Sequence, residues 1–139
     1  MNENPYTADI KQTVEHLIEN GSHFNVEELD RIYHEQLTIV IIDETGTVTA
    51  MDKEENMALF REKRDSGAEP LSTAAEFNYV NGDADEGHVI VTRKIQLQER
   101  REKSIFSIHL VREDEQWQVI RETAFVQPIE ADGDLGPQK

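Results

Sequence analysis

Two side chains of this sequence could transfer protons, and each stands in an apolar stretch. Asp43 ends the run Leu37–Ile42. In a dry pocket its pKa would rise toward the range in which a general base works best. His109 lies within an apolar predicted strand, where an imidazole could donate to a developing oxyanion or shuttle a proton.

Both residues also have a structural interpretation. Asp43 could cap the turn to Gly46, because aspartate bonds readily to nearby backbone amides. His109 could be a buried histidine that a neighbouring carboxylate or backbone group satisfies. The residues alone leave both alternatives open.

Further polar and aromatic residues are predicted to bind a ligand: Tyr33, Arg93, Trp117, Arg121 and Glu122. Arg93 interrupts an apolar strand face, and an unpaired buried charge is prohibitive. It could bind a substrate carboxylate, pair internally with a glutamate or lie at a subunit interface. Trp117 could stack on a ligand or belong to the core or an interface. Tyr33 could point its hydroxyl into a cavity mouth or serve in packing.

Strand register decides which of these side chains reach a cavity. A slip of one residue reverses every side chain of a strand, and the turn predicted at Glu99–Glu102 is ambiguous by one residue. Arg121 and Glu122 are adjacent on the last predicted strand, so strict alternation puts them on opposite faces. The sequence does not decide which of the two residues faces the cavity.

Composition excludes several classes of function. The 139 residues carry 29 acidic and 14 basic side chains, a net charge of −15, which would repel nucleic acid and anionic membranes. Without cysteine there is no thiolate chemistry and no zinc–sulfur site. The histidines lack ligand spacing, so no metal is predicted, and nothing indicates a cofactor. With no signal peptide or membrane-spanning run recognisable, we expect a cytoplasmic protein.

Helical periodicity fills the chain up to about Gly67, and alternating strands follow from Thr73 to Val126. Helices are predicted at Ala8–Asn20, after Asn25, and from Asp52, with Glu55 at its capping-box position. The predicted strands are His34–Asp43, Thr47–Met51, Thr73–Val80, His88–Gln98, Ser104–Arg112 and Trp117–Val126.

We expect an α+β fold in which the N-terminal helices pack in the concave face of a strongly bent, mixed or antiparallel sheet. Such a cone encloses a pocket. One domain is predicted over residues 1–128. A disordered acidic tail is predicted over residues 129–139, since that segment has little to bury.

This element order resembles the nuclear transport factor 2-like superfamily, which includes SnoaL-like cyclases and ketosteroid isomerases. The strand ending at Asp43 and the run Arg112–Glu122 around Trp117 also resemble it, and the similarity spans roughly Ala8 to Pro128. The resemblance implies a cystatin-like cone with a pocket between helices and sheet. It also implies a homodimer formed through the other sheet face.

The isomerase pattern in that superfamily places its general base at Asp43 and an oxyanion donor at His109. Its second donor, a tyrosine, is replaced by Val14. The same pattern turns Glu122 inward and Arg93 outward, whereas the SnoaL-like pattern often lines the cavity with polar residues near Arg121.

Three functions follow as hypotheses. The preferred one is a dimeric domain whose pocket binds a small, largely apolar ligand. The second is a proton-transfer enzyme, an isomerase, dehydratase or cyclase, with Asp43 as base and His109 as donor. The third is a non-catalytic assembly domain that uses its exposed sheet face.

Overall fold

A computed structural model describes residues 5–96 and 101–129. Its elements run in the order α1 Thr7–Ser22, α2 Val26–Ile32, β1 Tyr33–Ile42, β2 Val48–Asp52, α3 Lys53–Asp65, β3 Glu76–Gly82, β4 Glu86–Gln96, β5 Arg101–Glu113 and β6 Gln116–Pro128. The predicted α+β class is confirmed, with the helices toward the N-terminus and most strands after them.

Helix ends depart from the prediction in two places. α1 continues through Gly21 to Ser22, and the chain turns only at Phe24, whose φ is 58°. Asn25 precedes α2, yet its side chain makes no capping bond and donates to Asn20 Oδ1 at 2.8 Å. The capping box of α3 is confirmed: Glu55 N donates to Asp52 Oδ1 at 2.9 Å, and Asp52 N donates to Glu55 Oε1 at 3.0 Å.

The strands form one mixed sheet in the order β2-β1-β6-β5-β4-β3. β1 and β6 pair in parallel, while the other neighbours are antiparallel. The central strands of 11 to 13 residues exceed the usual strand length of about 5–6 residues. Arg101 and Glu102 already belong to β5, and the rest of the turn predicted at Glu99–Glu102 lies outside the described residues.

The helices cover one face of the sheet, which we call the concave face. Its core positions alternate along the strands, as expected for a face with period two. Buried core side chains from the helices and strands are Ile10, Val14, Leu17, Ile18, Leu29, Leu37, Ile39, Met57, Val89, Val91, Ile108, Leu110 and Val119.

α1 lies close against the β3–β4 hairpin because two glycines leave room for it. A Cβ on Gly82 would lie 2.5 Å from Ile10 Cδ1, and one on Gly87 would lie 2.9 Å from the same atom. Ile10 itself is fully buried. These contacts anchor the first half of α1 against the hairpin.

β6 contains one extra residue relative to β5. His109 pairs with Arg121, but Leu110 pairs with Val119, so Ile120 is a β-bulge. Val119 and Glu122 are therefore both buried on the concave face. Strict alternation would put Trp117, Val119 and Arg121 on one face, and the bulge breaks this alternation between Val119 and Arg121.

The packed region reaches one residue further than predicted. Ile129, assigned from the sequence to the tail, is buried, and its N–H donates to the Arg101 carbonyl at 2.9 Å. The remainder of the predicted tail, residues 130–139, lies outside the described residues. None of the described helices is long and apolar enough to cross a lipid bilayer.

Asp43 organises the turn between β1 and β2. Its Oδ1 accepts from Thr45 N at 2.9 Å, Thr45 Oγ1 at 2.7 Å and Thr47 N at 3.1 Å. Gly46 completes the turn with a φ of 86°. These contacts correspond to the turn-capping alternative for Asp43.

Replacing Asp43 by Ala should lower the free energy of unfolding by about 1–2 kcal/mol, since it removes an ionised acceptor of several hydrogen bonds at a partly exposed site. Asp43→Asn keeps the acceptor oxygen and should lie between wild type and Asp43→Ala. Urea unfolding followed by circular dichroism measures both. Wild-type stability in Asp43→Ala would contradict this role.

Candidate functional site

A cavity of about 200 Å³ lies between the concave face, α1 and α3. Most of its wall is apolar, formed by Leu17, Ile18, Gly21, Phe60, Leu71, Val91, Ile95, Phe106 and Ile108. Three polar side chains complete the lining: Tyr33, Arg93 and Glu122. The predicted cone with a pocket is therefore present in the fold, and polar groups from three strands meet in it.

Each of the three polar residues reaches the cavity through the register of its strand. Tyr33 is the first residue of β1, directly after α2. Arg93 follows Val91 by two positions on β4 and so shares its concave face. Glu122 pairs with Ile108 of β5 and with Ile39 of β1. The outward orientation of Arg93 in the isomerase pattern does not occur here.

Glu122 is a buried carboxyl group in this apolar setting. It is 8% exposed, and its Oε1 has no hydrogen-bond partner. Burial raises the pKa of Glu122 to about 7, against smaller lowering effects of hydrogen bonding with Tyr33 and of the Arg93 charge. The group can therefore exist as acid or carboxylate near neutral pH.

Tyr33 supplies a permanent hydroxyl donor beside Glu122. It is 3% exposed. Burial first, and the Glu122 charge second, hold the pKa of Tyr33 well above its ordinary value, while hydrogen bonding with Asn56 opposes them. The phenol consequently stays protonated, and its O–H can stabilise the Glu122 carboxylate.

Arg93 contributes the positive charge of the cavity. Its Nη2 donates to Ser22 Oγ at 3.1 Å and to the Ser72 carbonyl, whereas Nε is buried without a partner. Burial lowers the pKa of Arg93 and the Glu122 charge opposes this, but a guanidinium remains protonated in proteins. Internal pairing with a glutamate was one alternative for Arg93, and in the structure the Glu122 charge acts on Arg93 without a direct ion pair between them.

Of the five predicted ligand-binding residues, the structure brings Tyr33, Arg93 and Glu122 together. Trp117 packs against the hydrophobic core and does not line the cavity. Arg121 is exposed on the opposite face, next to His109 in the register. The bulge at Ile120 explains the division, because it turns Glu122 inward and leaves Arg121 outward.

His109 lies on the outer face of the sheet, away from the helices. Its ring stacks on His88 with centroids 4.2 Å apart, and its Nδ1 has no hydrogen-bond partner. Burial, then the charges of His88 and Arg121, lower the pKa of His109, and Glu86 opposes them. Among the described residues no group of three His, Asp or Glu side chains could hold a metal ion.

The structure does not bring Asp43 and His109 together. His109 pairs with Arg121, which pairs with Thr38 of β1. Asp43 follows Thr38 by five positions, a separation of about 16 Å along an extended chain. The predicted base and donor therefore have no common site, and neither lines the cavity.

Two buried polar residues behind the cavity wall, Asn56 and Ser22, were not predicted from the sequence. Asn56 precedes Phe60 by four positions, so helical spacing puts it on the packed face of α3, and this signal was available. Ser22 had no such signal, since it followed the end of the predicted helix.

Glu122→Gln should change how stability depends on pH. The folded pKa of about 7 exceeds the unfolded value of 4.5, so the native state holds more protons between these pH values. The wild-type free energy of unfolding should therefore fall between pH 4.5 and pH 7, by about 3 kcal/mol relative to Glu122→Gln. Denaturant unfolding of both proteins at several pH values measures this difference. Parallel pH profiles would contradict it.

Sequence comparison identifies no relative for this chain. No family model matches it, and no curated protein matches it significantly.

Solved structures do match. One, described as an NTF-2-like protein of unknown function from Silicibacter pomeroyi, is 14% identical with a TM-score of 0.68, over 91% of this chain and 99% of the other. An NTF2-like protein from Cytophaga hutchinsonii is 21% identical with a TM-score of 0.68, over 90% and 98%.

A protein of unknown function with a cystatin-like fold, from Nostoc punctiforme, is 14% identical with a TM-score of 0.65, over 91% of this chain and 95% of the other. These matches extend over nearly the whole length of both chains and agree with the helices-on-bent-sheet architecture described above. The chain has the nuclear transport factor 2-like, or cystatin-like, fold.

Proposed function

We propose that this chain binds a small, largely apolar molecule in the cavity between its helices and sheet, and that it does so as a homodimer. One observation carries the proposal: an apolar cavity is lined by Tyr33, Arg93 and Glu122, two of which hold a polar atom without a partner. Such a combination of apolar walls and a few converging polar groups is typical of ligand sites.

The cavity is partly open to solvent, so it is not a sealed void left by imperfect packing. A volume of about 200 Å³ is below the ~300–1,000 Å³ of sites for drug-sized ligands. The proposed ligand is therefore small, and its body is apolar.

The separation of Asp43 and His109 argues against proton transfer by that pair. Asp43 Oδ1 already accepts three hydrogen bonds in the β1–β2 turn. His109 points to the face of the sheet opposite the cavity. Binding accounts for the cavity without requiring either residue, so we prefer it to catalysis by the two.

The outer face of the sheet supports association with a second copy. Phe125 is 48% exposed there, beside a groove of about 210 Å³ whose lining includes Ile42, Ile105, Lys103 and Glu44. This patch carries an apolar centre and charges of both signs. A two-fold axis brings the same patch of both copies together, so each Lys103 could meet an acidic side chain of its partner.

The acidic surface disfavours nucleic acid and anionic membranes as partners. With a net charge of −15, the chain would be repelled by nucleic acid and by anionic membranes. We accordingly propose a small molecule and a second copy as the partners, and neither nucleic acid nor a membrane. A cytoplasmic location remains part of the same proposal.

Filling the cavity should abolish binding of a small apolar probe. Gly21 lines the cavity, and a Cβ there would meet Phe60 Cε1 at 3.9 Å, an ordinary contact. Gly21→Leu should remove toluene binding, because its side chain occupies the space, while the matched control Gly21→Ala retains it. NMR titration of the Val91 and Ile108 methyl groups measures both. Equal binding by the two variants would refute the cavity as the site.

Charging the outer face should separate the dimer. Phe125→Glu is expected to give a monomer at micromolar concentration, because an interface buries a charge poorly. Leu59→Glu is the matched control, since Leu59 is also 48% exposed but lies on α3. Sedimentation velocity distinguishes the species, with circular dichroism as the check of folding. A monomeric wild type, or a dimeric Phe125→Glu, would contradict the proposed interface.

A further inference from the structure

We infer that the ligand is a small carboxylic acid with an apolar body, whose carboxyl group bridges Arg93 and Glu122 and shares one proton with Glu122. This inference rests on the proposed ligand-binding function and names the chemical class that the same cavity accepts.

Arg93 and Glu122 approach the cavity from separate strands. Arg93 pairs with Ser104 of β5, whereas Glu122 pairs with Ile108, four residues away. That offset is about 13 Å along β5, and β5 lies between their two strands. The hydrogen bonds of Arg93 go to Ser22 and Ser72. Both side chains nevertheless line one cavity, and Arg93 Nε and Glu122 Oε1 have no hydrogen-bond partner, so a bound group could bridge them.

The unpartnered atoms match a carboxyl group. Arg93 Nε is a donor, and Glu122 Oε1 is an oxygen that can accept or, when protonated, donate. A ligand carboxylate has two oxygens, so one can accept from Nε and the other from the protonated Glu122. Both bonds involve charged groups, which makes them stronger than neutral ones.

Charge balance favours an acid with one shared proton. The titratable groups that act on Glu122 are Tyr33 from β1 and Arg93 from β4, and α1 and α3 line the cavity with Leu17, Ile18, Gly21 and Phe60. Tyr33 is neutral and Arg93 is positive. One negative charge divided between two carboxyl groups neutralises Arg93, whereas two would leave an unpaired buried charge.

A neutral amide is the main competing ligand. Its carbonyl could accept from Arg93 Nε, and its N–H could donate to an ionised Glu122. That arrangement uses Glu122 only as an acceptor, so the O–H of its protonated form would be left without a partner. With Glu122 protonated, the empty cavity carries the positive charge of Arg93 alone, and an anion complements it.

The test compares toluene, benzoate and benzamide, which share an apolar ring. Binding is measured by calorimetry on the full chain between pH 6 and pH 9. We expect benzoate to bind more tightly than benzamide at pH 6. Above about pH 7 its Kd should rise about tenfold per pH unit, because binding takes up one proton. At pH 8, titrations in two buffers of different ionisation enthalpy should show uptake of about one proton.

Two variants identify the residues. Glu122→Gln keeps an N–H donor at all pH values, so its benzoate affinity should not change between pH 6 and pH 9. Arg93→Gln should weaken benzoate binding more than tenfold and leave toluene binding nearly unchanged. Because Arg93 also bonds Ser22 and Ser72, a misfolded Arg93→Gln leaves Glu122→Gln as the deciding variant.

The outcomes separate this inference from the proposed function. If toluene binds but benzoate is no tighter than benzamide, or if the pH dependence persists in Glu122→Gln, the carboxylic acid is overturned and ligand binding stands. If toluene, benzoate and benzamide all fail to bind, both are overturned.

Discussion

The interior of this fold has to accommodate one carboxyl group, that of Glu122, away from water. Glu122 faces the helices, and burial favours its protonated form. The apolar walls cannot solvate a charge, so Arg93 and the Tyr33 hydroxyl supply the electrostatic support. Because one atom of Glu122 and one of Arg93 stay without a partner, a polar group placed between them would stabilise the folded state.

A single inserted residue makes this arrangement possible. Val119 and Glu122 are three positions apart and would point to opposite faces of a regular strand. The bulge at Ile120 puts both on the concave face. Bulges also bend a strand and increase its twist, which helps the long strands to curve over the helices. An irregularity of the backbone, rather than residue spacing, therefore turns Glu122 into the cavity.

The fold could be predicted because its signals are local, whereas the site could be predicted only in part. Helical periodicity and the capping box of Asp52 lie within a few residues of each other. Register, by contrast, depends on pairing between distant segments. Arg93 and Glu122 were candidates because each is a polar residue in an apolar strand. Strict alternation, however, could not decide whether Arg121 or Glu122 faces the cavity. His109 was also a candidate, from its apolar strand and from the resemblance to an isomerase, but the register puts it on the other face.

Polar residues that are adjacent in the sequence lie on opposite faces of the sheet. On β5 and β6, Ile108 and Glu122 pair on the concave face, and the next pair, His109 and Arg121, lies on the outer face. A molecule held in the cavity is consequently shielded from His109 by the sheet itself.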